Sequence, residues 1–383
     1  MLLNSWLRRI SDRIRNRRYQ PDRKPKKPDR FTQLGLTRLE DRVVLTVSAG
    51  LNAGVLELML DAQDDVAEVT VNGSNHILVN GATLSGGSGG GGEVLETDVT
   101  RLTATDSSAG MNETGQEVRL SDSLTLSNGL SIDSTIETTT VNAAISGGTT
   151  DTFNIQSANI DLGANLTTAG RNITLDGNVT IADGLDLTLT TGAGAGTIEI
   201  TGTLNGTAGG AAESLTLTAG SGNVVLGAIG AAGTDDLESL TVTSASTATL
   251  NGVVDIDSAL TITAGSASLN DNVTSGDLQV TTTAATTVTG MVNSSGTIGL
   301  DAATLTQNGS MTAQGAVSID VANPLVLNQN VTSGGTTTIT VTAPDATGSL
   351  PFTLSSGVTL SSTAGTLTIR ADDMRLDGAI TAT

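Results

Sequence analysis

The phrase ESLTLTAGSGNVVL begins at Glu213, and ESLTVTSASTATL begins 25 residues later at Glu238. Such self-similarity is the signature of stacked repeats, in which no unit buries its apolar face alone. An apolar-x-apolar-x phrase starts at Leu187, Leu215, Leu240, Leu260, Leu278, Ile298, Val317, Ile339 and Leu367. The steps are 28, 25, 20, 18, 20, 19, 22 and 28 residues. A second phrase follows each time, among them ATLNG, ASLND, TVTG, TLTQNG, LVLNQN and RLDG. Each pairs a short strand with an Asn, Asp or Gly corner suited to left-handed backbone. ITLDGNVTI from Ile173 and FNIQSANIDL from Phe153 are looser copies.

A unit of about 20 residues with two or three short strands describes an all-β, right-handed parallel β-helix. Alternation turns Leu215, Leu217, Leu240, Val242, Leu260 and Ile262 inward and leaves Thr216, Thr241 and Thr261 as outward ladders. Some fourteen coils at about 4.8 Å make a rod on the order of 65 Å long. An antiparallel sandwich also has turns every 8–12 residues or so. Its recurring unit is a hairpin, however, and its core draws on aromatics. Here the 383 residues include one Trp, one Tyr and three Phe, and only Phe153 and Phe352 lie beyond residue 31. Small aliphatic side chains must therefore form the core, which regular stacking permits.

Charge divides the chain near Val43. Residues 1–42 carry 13 Lys/Arg against 5 Asp/Glu, and the remainder carries 5 Arg against 34 acids, with no lysine after Lys27. An acidic body repels nucleic acid and anionic lipid, so no nucleic-acid partner is expected. Leu3, Leu7, Ile10 and Ile14 recur at helical spacing among arginines, with Trp6 beside them. The segment thus reads as a short basic amphipathic helix, ending before Pro21, that touches a membrane surface transiently. The competing reading is a basic leader without structure. No apolar stretch follows that fits a secretory or twin-arginine signal. Val47-Ser48-Ala49 offers small residues for cleavage.

The division expected is 1–49 leader and sorting segment, 50–84 small hairpin-rich unit with Asn72-Gly73 and Asn80-Gly81 turns, 85–92 Gly/Ser linker, and 93–383 solenoid. RLDGAITAT shows no polar cap, which implies a fragment or further protein beyond Thr383.

Few residues carry chemistry. Cysteine is absent, which excludes disulfides and thiolate sites. His76 is the one histidine, and without a partner it reads as an exposed turn residue. Asp61, Asp64 and Asp65 gather enough carboxylate to attract calcium as the sole cofactor candidate. They lack EF-hand spacing, so a solvated acidic turn competes. SGGSGGGG lacks the lysine of a phosphate-cradling loop. Threonine arrays bind ice only on a regular lattice, which these unequal steps do not promise. A polysaccharide-processing β-helix would need paired carboxylates, bases and aromatics in a groove.

LTRLEDRVVLTVSAG, residues 36–50, resembles the Leu-Glu-x-Arg-x-x-Leu segment near the N-terminus of very large secreted or surface proteins of planctomycetes and related bacteria. Leu39, Glu40, Arg42 and Leu45 occupy its positions. Residues 120–383, with LTLTAGSGNVVLGAIG and LTVTSASTATLNG, are similar to filamentous-haemagglutinin and autotransporter-type β-helical passengers. The resemblance implies recognition of that segment by export machinery as a sorting or processing signal, an extracellular or cell-surface location, and contact with surface or matrix components. The function expected is a structural or adhesin-like rod without catalysis, any adhesion using its lateral faces or loops such as APDATGSLPF at 343–352. The alternatives are a β-helical polysaccharide-processing enzyme and an intracellular scaffold.

Overall fold

The fold comes from a computed structural model, which describes residues 47–383 except 62, 81, 83, 85–93, 108–114, 208, 210, 231–236 and 343–350. The amphipathic helix and sorting segment expected in residues 1–46, and the Gly/Ser linker, lie outside the described residues.

The described chain is an all-β parallel solenoid of about twelve turns, each of about 21 residues. At about 4.8 Å per turn the stack is roughly 55–60 Å long. Its pairings run in three files. File A starts Leu56, Leu102, Leu130, Phe153, Ile173, Ile198, Val224 and continues through Ala248, Ala267, Thr286 and Leu305. File B includes Val254, Val273, Val292, Met311, Val331, Leu360 and Ile380. File C joins Leu187, Leu215, Leu240, Leu260, Leu278, Ile298 and Val317, the same order that the repeated phrases give.

Leu215, Leu217, Leu240, Val242, Leu260 and Ile262 are all buried. Full burial of one such side chain stabilises by about 1.5–3 kcal/mol, so columns of aliphatics substitute for the missing aromatics. The outward Thr188, Thr216, Thr241 and Thr261 stand in register, half-exposed.

Two particulars of the repeat reading need correction. Val317 pairs with Thr337 rather than Ile339, and Thr337 with Leu367. Thr337 is buried at an apolar column position, so a search for apolar starts slides two residues onward. Phe352, read as the end of a surface loop at 343–352, is a fully buried file A residue in the strand Phe352–Leu354. Residues 343–350 of that loop lie outside the described residues. The steps are also more regular than expected in one region. Files A and B each advance by 19 residues three times, over Ala248–Leu305 and Val254–Met311.

The strands of residues 47–79 open the stack. β1 (Val47–Asn52) is antiparallel to β2 (Val55–Leu60), and β3 (Val66–Val71) to β4 (His76–Val79). On their other edges β2 and β3 pair in parallel with Arg101–Asp106 and Glu117–Leu120. The two hairpins therefore build the first coil and cover its outer edge, where unpaired strands would otherwise template association.

Candidate functional site

Polar side chains in the solenoid work chiefly between coils. At the corners, Asn165 Oδ1 accepts the N–H of Thr188 (2.7 Å), Asn172 that of Thr197 (2.9 Å), Asn272 that of Met291 (2.9 Å) and Asn330 that of Thr359 (2.8 Å). Each acceptor satisfies a backbone donor one coil further on. Asp277 Oδ1 does the same for Thr297, accepting both its N–H (2.6 Å) and its hydroxyl (2.8 Å). These bonds hold the Asp277 carboxyl below the usual range.

A second set lies inside. Ser275, Ser294, Ala313, Ser333 and Ser362 form one inward column of file B. Ser294 Oγ lies 2.5 Å from Gly276 O, Ser333 Oγ 2.9 Å from Gly315 O and Ser362 Oγ 2.7 Å from Gly335 O. Ser294 and Ser333 also accept the N–H of Gly296 (3.2 Å) and Gly335 (3.1 Å). The buried hydroxyls of Ser294, Ser333 and Ser362 thus tie their corners to the coil before, which removes the cost of an unsatisfied polar group, whereas Ser275 Oγ is buried without a partner.

Glycines permit that closeness. A Cβ on Gly309 would lie 1.7 Å from Gly290 O, and one on Gly290 would lie 2.2 Å from the carbonyl carbon of Asp271.

The three aspartates proposed for calcium are not equivalent. Asp61 and Asp64 are exposed, and Asp64 has φ +61°. Asp65 is fully buried, and its Oδ2 accepts the N–H of Asp61 (3.0 Å), closing the turn between β2 and β3. Its backbone carbonyl accepts the N–H of Glu117 (2.8 Å). Among the described residues, no three or more His, Asp or Glu are grouped to hold a metal ion. His76 is half-buried rather than exposed, opens β4 and pairs with Leu95. Its N–H donates to Asn72 Oδ1 (3.0 Å). Leu39, Glu40, Arg42 and Leu45 lie outside the described residues. Val47-Ser48-Ala49 lies in β1, paired with Leu60, Met59 and Leu58.

One charged cluster escaped the sequence reading, because its members are far apart in the chain. Glu68, Arg119, Thr140 and Asp161 stack in one outward file, with Glu117 two residues before Arg119. Arg119 Nε lies 2.5 Å from Glu117 Oε1, and the Thr140 hydroxyl donates to that oxygen (3.0 Å). Burial pushes the Asp161 carboxyl upward, and the Glu117 charge adds to the shift.

The pairing pattern defines the class as a parallel β-solenoid. No family model matches the chain, and neither a curated protein nor a solved structure matches it.

Proposed function

We propose that the chain is the rod of a secreted or cell-surface protein, structural or adhesive in role and without catalytic activity. The observation that carries this reading is the direction of its polar bonds. Corner Asn and Asp side chains satisfy the next coil, and buried serines secure the previous one. A polar inventory used this way gives length and cohesion, while the acidic surface gives solubility. Export machinery would read the segment around Leu39, Glu40, Arg42 and Leu45, and adhesion would use the lateral faces. Immunogold labelling with antibodies against residues 247–341 tests it. Label on intact cells supports the reading, and label that appears only after permeabilisation overturns it.

The second reading, polysaccharide processing, draws on the Glu117–Asp161 cluster. Two carboxyls there have different environments: Glu117 is anchored by Arg119 and Thr140, and Asp161 is pushed toward protonation. A polysaccharide-processing site uses a pair of carboxyl groups on one face. Purified protein incubated with acidic polysaccharides would release reducing ends, and Glu117→Gln or Asp161→Asn would abolish the release. Equal yields from protein and blank would remove this reading.

A further inference from the structure

Five Asn-x-Thr triplets share one local build: 165–167, 172–174, 178–180, 272–274 and 330–332. Their middle residues, Leu166, Ile173, Val179, Val273 and Val331, are buried in the columns. Alternation therefore places the Asn and the Thr together on the outer surface. The Oδ1 of Asn178 accepts the N–H of Thr203 (3.4 Å) and its hydroxyl (3.0 Å); the other four hold the next coil as described above. A backbone N–H can only donate, so the amide orientation is fixed. Oδ1 faces the next coil and Nδ2 faces away. Among the described residues, none of the five Nδ2 groups donates a hydrogen bond.

We propose that these five asparagines are acceptors of N-linked sugar. The inference rests on the export reading, since the acceptor triplet Asn-x-Ser/Thr is used by glycosylating systems acting on exported chains. In the transfer, Nδ2 forms a bond to the anomeric carbon of a phosphate-activated sugar. The anomeric C–O bond to phosphate breaks, the phosphate keeps the electron pair, and the amide proton goes to a base of the transferase. The buried middle residue requires transfer before the coil closes. The closed coil then carries the sugar outward without losing its Oδ1 clamp.

One more Asn-x-Thr triplet among the described residues, 205–207, is built differently. Asn205 Nδ2 donates to Thr203 Oγ1 (3.3 Å), its Oδ1 is buried, and the Thr207 hydroxyl donates to Ile181 O (2.8 Å). A sugar there would displace packed atoms, so the folded protein carries none.

The test is peptide mass spectrometry on protein recovered from the surface fraction of its native source, for wild type and Thr174→Val. Valine keeps the β-branched shape and removes the hydroxyl. The expected result is sugar mass on the five triplets, none on Asn205, and complete loss at Asn172 alone in the variant. Surface protein with all five peptides unmodified overturns the inference and leaves the export reading standing. Sugar retained at Asn172 in Thr174→Val overturns it too. Unmodified protein confined to the cytosol removes both.

Discussion

Replacing Gly309 by alanine is the sharpest probe of how closely the coils approach. The new Cβ would meet Gly290 O at 1.7 Å, whereas the closest ordinary carbon–oxygen approach is roughly 3.3 Å. The corner must therefore open by roughly 1.6 Å, about a third of the coil spacing. That movement breaks the Asn308 N–H to Val288 O bond (2.8 Å) and the weaker one from Gly309 N–H (3.3 Å). Two hydrogen bonds at about 1 kcal/mol each and overpacking strain of about 1–3 kcal/mol oppose folding. Reduced freedom of the unfolded chain returns about 0.4–1 kcal/mol. The net expectation is a loss of about 2–5 kcal/mol. Gly73→Ala is the matched control. Nothing lies within 4 Å of its added Cβ, and its φ is outside the left-handed region, so it should stabilise by about 0.4–1 kcal/mol. Urea unfolding followed by circular dichroism gives the global difference. Hydrogen exchange at residues 285–313 gives the local one, since stacked coils can open segment by segment. If the two variants agreed within about 0.5 kcal/mol, the close-approach reasoning would be refuted.

Three further outcomes follow from the same chemistry. Thr337→Val should raise stability by about 1 kcal/mol, because Thr337 Oγ1 is buried without a hydrogen-bond partner at a column position; a lower urea midpoint would contradict this. Ser333→Ala should cost about 1 kcal/mol, since it strips the hydroxyl that serves Gly315 O and Gly335 N–H. An unchanged midpoint would show that the corner holds itself. The pH dependence of stability should show two opposite contributions. The lowered Asp277 carboxyl stabilises above its unfolded value and loses that contribution as pH falls through its folded value. Raised Asp161 and Asp255 bind protons more tightly when folded, so their penalty is absent below the unfolded value, develops as pH rises from there through the folded value, and is constant above it. Asp161→Asn should accordingly stabilise at pH 7 and be neutral in acid, whereas Asp277→Asn should be tested for loss at pH 7. Urea midpoints across pH distinguish them.

The solenoid was legible because file C repeats Leu, Ile and Val at column positions, and six successive steps from Leu187 to Val317 coincide with real strand pairs. The reading failed where a polar residue occupies an inward position. Thr337 moved the register, and the Val-x-Ser strands of file B were not recognised as a separate column. A period-two pattern treats Ser as outward, although a buried hydroxyl that bonds a corner carbonyl behaves as a core residue. Phe352 was lost because Pro351 and the preceding Gly-Ser-Leu signal a loop up to the strand itself. The Glu117–Asp161 cluster was not legible, since only coil stacking brings residues 44 positions apart onto one face, two ranks from each other. The corner asparagines were visible as turn residues, but their bonds to the following coil depend on three-dimensional register.

The exported-rod account is tested most directly by N-terminal sequencing of the native protein after separating surface, envelope and cytosolic fractions. The account predicts a surface form that lacks the basic residues 1–42 and begins between Val43 and Gly50. An intact form beginning at Met1, confined to the cytosol or the inner membrane, would contradict it and favour the intracellular scaffold.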